Sequence, residues 1–258
     1  MAVFINNAQI VNAHIGPTIQ LDNLTAVWDA ASIVSYPRVG TVWYDLVGSN
    51  NGSMINMTSD NFNIEADGSF VFDGTDEYVT VPHNSSLDAG TDSFTVTAWI
   101  KPDGDLGASA IVVNKRGFGT ESTLAGWKIV LRRATSVSWQ VIDTGIDDAA
   151  NAKNTNGTTS YSLTNWHHIA MSYIADSEFL IYIDGVVDCG VGSIGNYGSL
   201  SNNIPLEIGG TAYVGGNLSS PLQLFSGSIA QVQFYNKKAL NSSEIKQQYM
   251  TSKGRFGL

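Results

Sequence analysis

The acidic residues are the first candidates for chemistry, because a retaining glycosidase needs two carboxyl groups about 5–5.5 Å apart beside the bond it breaks. Acidic residues at alternate positions of a strand would share one face and supply such a pair. Asp176 and Glu178 have that spacing, but they fall where the chain reverses between two strand-like runs. Asp147 and Asp148 are adjacent, so an extended chain would point them apart. The pattern favours solvated turns and loops, and it predicts no catalytic residue.

Metal and nucleophile chemistry has equally little support. His167 and His168 are adjacent, and successive side chains of a strand point to opposite faces, so this pair cannot chelate one ion. Cys189 is the single cysteine, which excludes an internal disulfide framework and any multi-cysteine zinc site. No Gly-x-Ser-x-Gly elbow and no phosphate-binding glycine loop occurs. We therefore expect a protein that is not an enzyme.

Asp73 and Asp76 are the residues best suited to bind a metal ion. Calcium takes about six to eight oxygen ligands, which it draws from carboxylates and loop carbonyls. Both aspartates lie around the Asp-Gly turn of FVFDGTDEYVTV (70–81), where carbonyls are available. Two interpretations stay open, a calcium site and a plain hairpin turn. We expect no required cofactor, with calcium as the one candidate ion.

Aromatic side chains near polar ones are the candidates for a carbohydrate site. An aromatic ring packs on the apolar face of a pyranose, while amides and carboxylates bind its hydroxyls. The candidate residues are Trp127, Trp139, Asn196, Tyr197 and Tyr213. For the two tryptophans a place in the core is the alternative. Burial and exposure both remain open for the tyrosines, which lie in glycine-rich segments such as GGTAYVGGN (209–217).

The charge balance narrows the classes of partner. The chain has 258 residues with 13 basic and 23 acidic side chains, a net charge of −10. This excess of acid argues against binding a phosphate backbone, which needs clustered Lys and Arg. No run of about 18 apolar residues occurs, so we expect no membrane insertion. The stretch MAVFINNAQIVNAHIG lacks the basic and apolar regions of a secretory signal, and we expect none.

The elements that would position these residues are mainly strands. Only 14% of residues are charged, where about 25% is usual, which suits strands and turns better than surface helices. SFTVTAWIKP (93–102) alternates core-type residues with a second face that carries Trp99, either as a second packing layer or as an exposed platform. FVFDGTDEYVTV indicates two strands around a turn. The run 161–187 indicates a strand, a turn at Asp176-Ser177 and a second strand closed by Asp184-Gly185.

One helix is predicted, within KKALNSSEIKQQYM (237–250). Asn241 is placed as its N-cap, with Glu244 three residues later to complete a capping box. Leu240 and Ile245 have the spacing of a hydrophobic staple. We predict one β-sandwich domain at 25–258, preceded by an N-terminal arm at 1–24.

The end of the chain is basic, with five basic and one acidic side chains in residues 237–258. Lys253 and Arg255 follow the expected C-terminus of the helix, where the helix dipole favours positive charge. A solvated basic tail is one interpretation of this segment, and a docking site for an acidic partner is the other.

Five segments together resemble a known family. In chain order they are FVFDGTDEYVTVP, SFTVTAWIKP, NWHHIAMSY, LIYIDG and GSIAQVQFYNKKALNSSEI, and they cover roughly residues 65–250. Their order resembles the concanavalin A-like lectin/glucanase superfamily, in its laminin-G/pentraxin-like branch. The resemblance implies an all-β jelly-roll sandwich of two antiparallel sheets with a short C-terminal helix. Similar domains often bind calcium with an acidic residue after the Gly-x-Ile element, where this chain has Ala230 and Gln231.

A second resemblance lies at the two ends of the predicted domain. VWDAASIVSYPRVGTVWYDLVGSNNGSM (27–54) and KGRFGL (253–258) are similar to laminin-G-like proteins of tailed bacteriophages. This resemblance implies a virion component that is made in the host cytoplasm. It implies other virion proteins of capsid or tail as partners.

The function predicted from the sequence is a non-enzymatic structural or decoration protein on a phage capsid or tail. It would display a lectin-like sandwich, with host-surface glycans as possible ligands and a homo-oligomer as a possible assembly. A free-standing carbohydrate-binding or adhesion protein is the first alternative. A glucan hydrolase is the second, and the missing strand-borne acid pair argues against it.

Overall fold

A computed structural model describes residues 3–5, 8–10, 21–104, 109–116, 125–133, 140–147, 152–156, 162, 164–192, 198–214 and 217–258. Within these ranges the chain forms twenty strands and one α-helix, with a few short 3-10 turns. The strands are β1 (Val3–Ile5), β2 (Ala8–Ile10), β3 (Leu24–Asp29), β4 (Val42–Trp43), β5 (Gly52–Ile55), β6 (Phe62–Asn63), β7 (Ser69–Asp73), β8 (Tyr78–Val81), β9 (Phe94–Pro102), β10 (Ser109–Lys115), β11 (Gly126–Arg133), β12 (Gln140–Asp147), β13 (Ala152–Asn156), β14 (His167–Ile174), β15 (Glu178–Ile183), β16 (Val186–Gly192), β17 (Leu206–Ile208), β18 (Thr211–Val214), β19 (Asn217–Leu222) and β20 (Ser226–Asn236). The helix, α1, is Ser242–Ser252.

Two antiparallel sheets form the sandwich. The front sheet has the order β16-β15-β14-β9-β20-β7-β6, and β3 also pairs with β20. The back sheet has the order β13-β12-β11-β10-β17-β8-β5-β4. Two separate antiparallel pairs, β1-β2 and β18-β19, complete the described strands. The predicted fold class, an all-β jelly-roll-type sandwich with a short C-terminal helix, is confirmed.

The core lies between the two sheets and follows the predicted alternation. Alternate residues of β9 point into it, and those from Phe94 to Ile100 are at most 1% exposed. Val79 and Val81 of β8 face them from the back sheet and are fully buried. Each large apolar side chain buried in this way contributes about 1.5–3 kcal/mol. The period-two pattern therefore identifies the core face of the strands correctly.

The segment 70–81 is not a hairpin, contrary to the sequence prediction. β7 pairs with β20 and β6 in the front sheet, whereas β8 pairs with β17 and β5 in the back sheet. The turn between them therefore carries the chain from one sheet to the other. Both strands alternate and both bury one face in the same core, so alternation alone cannot tell which sheet each strand joins.

The β14-β15-β16 meander is confirmed. Asp176 has φ 56° in the first turn, and Asp184 and Gly185 have φ 51° and 78° in the second. Two consecutive residues with positive φ define the tight hairpin turn for which Asp-Gly is favoured. A Cβ on Gly185 would lie 3.2 Å from the Lys246 Cα, so glycine also allows the helix to approach this turn.

Helix α1 begins as predicted. The Asn241 side chain accepts hydrogen bonds from the Ser243 and Glu244 amides, and the Glu244 side chain accepts one from the Asn241 amide. Leu240 and Ile245 share one buried cluster, which confirms the staple. That cluster lies on the outer face of the front sheet, so α1 covers part of this face.

The C-terminal end is folded onto the front sheet, and the interpretation as a solvated tail is wrong for its arginine. Lys253–Phe256 forms a 3-10 turn. Arg255 Nη1 contacts both carboxylate oxygens of Asp29, at 2.8 and 3.0 Å, and the two side chains are almost fully buried. Phe256 stacks on Trp99 with ring centroids 3.8 Å apart. Trp99 is thus a second packing layer and not an exposed platform.

The boundary predicted between an arm at 1–24 and a domain at 25–258 remains a prediction.

The one α-helix in the described ranges of the chain, α1, lacks the length and the apolar character needed to cross a membrane.

Candidate functional site

The outer face of the front sheet carries partly exposed side chains near the Lys101 end of β9. There Lys101 of β9, Ser228 of β20 and Val71 of β7 are direct cross-strand neighbours. Their sequence neighbours Ile100, Phe70 and Phe72 point into the core, so these three side chains point outward. They form a short row of mixed polar and apolar character across three adjacent strands.

This row is part of an open cavity of about 400 Å³. Its lining residues come from β6, β7, β9, β20, the residue after β9 and the segment before β14: Asn63, Val71, Lys101, Pro102, Asp103, Thr164, Gly227 and Ser228. Gly227 has φ +132°, and a Cβ there would lie 2.3 Å from the Lys101 carbonyl oxygen. Glycine is therefore required for β20 to lie this close to the end of β9, and it shapes the cavity.

An ion pair stands beside the cavity. Lys101 Nζ lies 2.6 Å from Glu65 Oε1, and both side chains keep about a third of their surface exposed. Trp166 Nε1 donates to the same oxygen at 3.3 Å. The Trp166 ring is 5% exposed and packs with Phe256. Trp166 thus orients the carboxylate but offers no open ring face for a ligand.

Several hydrogen-bonding groups around the cavity have no described protein partner. Asn63 Oδ1 accepts from the Glu65 amide, which leaves the Asn63 amide nitrogen without a described acceptor. Glu65 Oε2 has no described donor, because both contacts of that carboxylate are made by Oε1. Asp103 and Thr164 are exposed. The cavity therefore combines donors, acceptors and a small apolar patch, which is the set that a polyhydroxylated ligand needs.

The sugar-site residues chosen from the sequence do not meet in this cavity. Trp127 is fully buried between the sheets, with its ring stacked on Phe234 at 5.5 Å and packed against Phe94. This is the core position that the sequence left as the alternative for Trp127. Tyr213 lies in β18, where it pairs with Leu218. Its side chain lies outside the described part of the structure, as do residues Trp139, Asn196 and Tyr197 altogether.

The turn that holds Asp73 and Asp76 is closed by its own hydrogen bonds. Asp73 Oδ1 accepts from the Thr75 and Asp76 amides at 2.7 and 3.4 Å. Glu77 Oε2 accepts from the Asp73 amide at 2.7 Å. The described side chains include no group of three or more His, Cys, Asp or Glu that could hold a metal ion. Calcium needs about six or more oxygen ligands, and a calcium site at Asp73 and Asp76 remains a prediction.

The two histidines point to opposite faces, as the sequence predicts. His168 packs against Trp99 on the outer face, while His167 Nδ1 lies 2.8 Å from Asp184 Oδ2. His167 Nε2 lies 3.2 Å from the Ser162 carbonyl oxygen and 3.5 Å from its hydroxyl. Ser, His and Asp are the residue types of a hydrolase triad. Here, however, the His167 imidazole lies closer to the Ser162 carbonyl oxygen than to the Ser162 hydroxyl that would act as the nucleophile. Asp184 also accepts a hydrogen bond from the His168 amide. The Asp184 carboxylate therefore links the turn between β15 and β16 to the start of β14.

Of the acid pairs considered for glycosidase chemistry, Asp176 and Glu178 lie at the chain reversal as expected, whereas Asp147, expected in a loop, lies in a strand. Asp176 lies in the β14-β15 turn with positive φ, and Glu178 begins β15. Asp147 ends β12, and Asp148 lies outside the described residues.

The cavity residues themselves were missed by sequence reasoning. Lys101, Asp103 and Ser228 carry no local motif, and their contact depends on the register of β9 with β20. One signal was present, because the alternation in 93–102 places Lys101 on the non-core face with Trp99. A charged residue at the end of an otherwise buried strand marks a candidate rim position.

The chain belongs to the concanavalin A-like lectin/glucanases superfamily, since a laminin-G-type family model of that superfamily matches residues 73–246. No curated protein sequence matches the chain. The family match confirms the superfamily expected from the five ordered segments.

Solved structures of similar fold include binding domains of bacterial toxins. The binding domain of Paraclostridial mosquitocidal protein 1 has a TM-score of 0.64 at 17% identity, over 88% of this chain and 52% of that one. The botulinum neurotoxin serotype G binding domain has a TM-score of 0.63 at 16% identity, over 88% and 51%. This chain therefore spans about half the length of the toxin domains.

A Trypanosoma rangeli sialidase in complex with 2,3-difluorosialic acid is also similar. Its TM-score is 0.61 at 17% identity, over 93% of this chain and 35% of that one. At these identities the likeness establishes the sandwich fold alone.

Proposed function

We propose that this chain is a non-catalytic carbohydrate-binding module. The observation that carries the proposal is the open polar cavity of about 400 Å³ on a lectin-like sandwich. Its size suits one or two sugar residues, and its side chains supply both donors and acceptors around a small apolar patch. The similarity to toxin binding domains supports a binding role for this type of sandwich.

A glucan hydrolase is the rival function within the superfamily. A retaining glycosidase needs two facing carboxyl groups about 5–5.5 Å apart. At the cavity the Glu65 carboxylate is bound to Lys101 and Trp166, while Asp103 is exposed at the rim. Release of reducing sugar from β-glucans, abolished by replacing one of these acids, would support the hydrolase instead.

Blocking the cavity tests the binding proposal. Thr164 is exposed at the cavity rim, so Thr164→Trp places a bulky ring across the opening without disturbing the core. We expect glycan-array binding by the intact chain to fall at least tenfold in this variant. Thr91→Trp, at an exposed position three residues before the opposite end of β9, is the matched control and should bind as the unmodified chain does. Equal binding by both variants would contradict the cavity as the site.

We further propose that the module is displayed on a phage particle, on capsid or tail. The support is the resemblance of segments 27–54 and 253–258 to virion proteins. Many copies of a weak sugar site on one particle would bind a glycan-coated surface with high avidity. A free-standing adhesion protein with the same cavity remains the alternative.

Deleting residues 1–20, which leaves β3 (Leu24–Asp29) intact, separates these two assignments. For a virion protein anchored by the arm, the truncated chain should fail to copurify with particles while it still binds sugar. Copurification at full copy number without the arm would contradict anchoring by it. Absence of the intact chain from purified particles would favour the free-standing protein.

A further inference from the structure

We propose that the cavity selects an uncharged sugar residue over an acidic one such as a sialic acid or a uronic acid. The inference rests on the proposed carbohydrate-binding function and adds the class of ligand. It depends on how the charges around the cavity are already paired.

Lys101 is the only cation among the lining residues that the structure describes, and it is already neutralised. Its ammonium nitrogen lies 2.6 Å from Glu65 Oε1. Asp103 adds an exposed carboxylate at the same rim. Lys101, Glu65 and Asp103 together carry one net negative charge, so the carboxylate of an acidic sugar would meet repulsion.

Two arginines contact the segment 62–68, which carries Asn63 and Glu65, and both are committed to other partners. Arg255 donates to Asp29 and to the carbonyl oxygens of Ala66 and Gly68. Arg38 donates to the Ala30 and Ala31 carbonyl oxygens, and its guanidinium lies over the Phe62 ring. Bidentate arginine pairing is the strongest way to bind a carboxylate. Neither guanidinium can supply it here without breaking contacts inside the protein.

The groups that remain suit hydroxyls. The amide nitrogen of Asn63 can donate, and Glu65 Oε2 can accept. Asp103 accepts, and the Thr164 and Ser228 hydroxyls can do either. Val71 is 37% exposed beside them and can contact the C–H face of a pyranose ring. This combination binds vicinal hydroxyl groups without a counter-charge.

The test compares probe pairs that differ only in an acidic residue, such as lactose and sialyllactose, on an array and by calorimetry with the intact chain. We expect a neutral member to bind and its acidic counterpart to bind at least about fivefold more weakly. Asp103→Asn should raise the affinity for the acidic probe about two- to fivefold, and Glu65→Gln/Asp103→Asn further, with larger effects at low salt. Asp176→Asn removes the same charge from an exposed turn remote from the cavity and should change neither affinity.

Two results would overturn the inference in different ways. Preference for the acidic probe, or no gain of acidic binding in the Asp103→Asn variant, would reject charge selection while leaving the binding function intact. Failure of the folded chain to bind any probe would reject the proposed function itself, and the ligand class with it.

Discussion

Arg255 joins the end of the chain to its first long strand through a buried ion pair with Asp29. Asp29 also accepts hydrogen bonds from the Gln231 side chain and the Ala31 amide, so its charge is well solvated by the protein. Removing one partner of a buried pair leaves the other charge uncompensated, which typically costs about 3–5 kcal/mol.

Arg255→Met should therefore lower the free energy of unfolding by about 3 kcal/mol or more in urea denaturation. Arg255→Met/Asp29→Asn, which removes both charges, should recover part of that loss. A loss below about 1 kcal/mol in the single variant would show that the pair is not buried as described.

His168 gives the protein a specific sensitivity to acid. Burial lowers its pKa from 6.5 to about 4, against a smaller opposing effect of Asp184. A histidine that is neutral when folded but protonated when unfolded contributes stability above pH 6.5, and this contribution is lost as the pH falls towards 4. The depression corresponds to about 3 kcal/mol.

The difference in unfolding free energy between the unmodified chain and His168→Phe should therefore shrink or reverse by about 3 kcal/mol between pH 7 and pH 4. Met171→Leu exchanges one buried apolar side chain of the same strand for another and changes no titratable group, so it is the control and should keep the pH profile of the unmodified chain. Parallel profiles for His168→Phe and the unmodified chain would contradict a buried neutral His168.

Helix α1 depends on its cap, because its exposed face is polar and the helix is short. The Asn241 side chain satisfies two amides that would otherwise lack acceptors. Asn241→Ala should cost about 1 kcal/mol of unfolding free energy, whereas Asn241→Ser should cost only a few tenths, since serine caps nearly as well. Urea unfolding followed by tryptophan fluorescence measures both. Equal stability of the two variants would mean that the staple alone holds the helix start.

Local signals predicted the elements well and their partners poorly. The capping box at Asn241 and the Asp184-Gly185 turn are each set by a few neighbouring residues, and both are confirmed. The turn after Asp73 failed as a hairpin because strand partners depend on the whole core. Likewise, Trp99 could not be placed from its own strand, since Phe256, which covers it, lies far along the chain.

For the molecule as a whole, the superfamily followed from the order of five segments, whereas the cavity did not follow from any of them. The cavity joins residues from four distant parts of the sequence, around 63–71, 101–103, 164 and 227–228. They meet only because β20 lies between β9 and β7 in a defined register. The sequence analysis chose mainly aromatic residues as candidates for the sugar site. Trp127 belongs to the core instead, and several of the residues that line the cavity are polar residues without a sequence motif.

We propose that this sandwich binds sugar in the cavity beside the Lys101–Glu65 pair. A crystal structure of the chain with a neutral oligosaccharide selected on the array tests it most directly. We expect a sugar residue within hydrogen-bonding distance of Asn63, Lys101 or Asp103, with its apolar face towards Val71. A sugar bound on another surface while this cavity stays filled with solvent would contradict it.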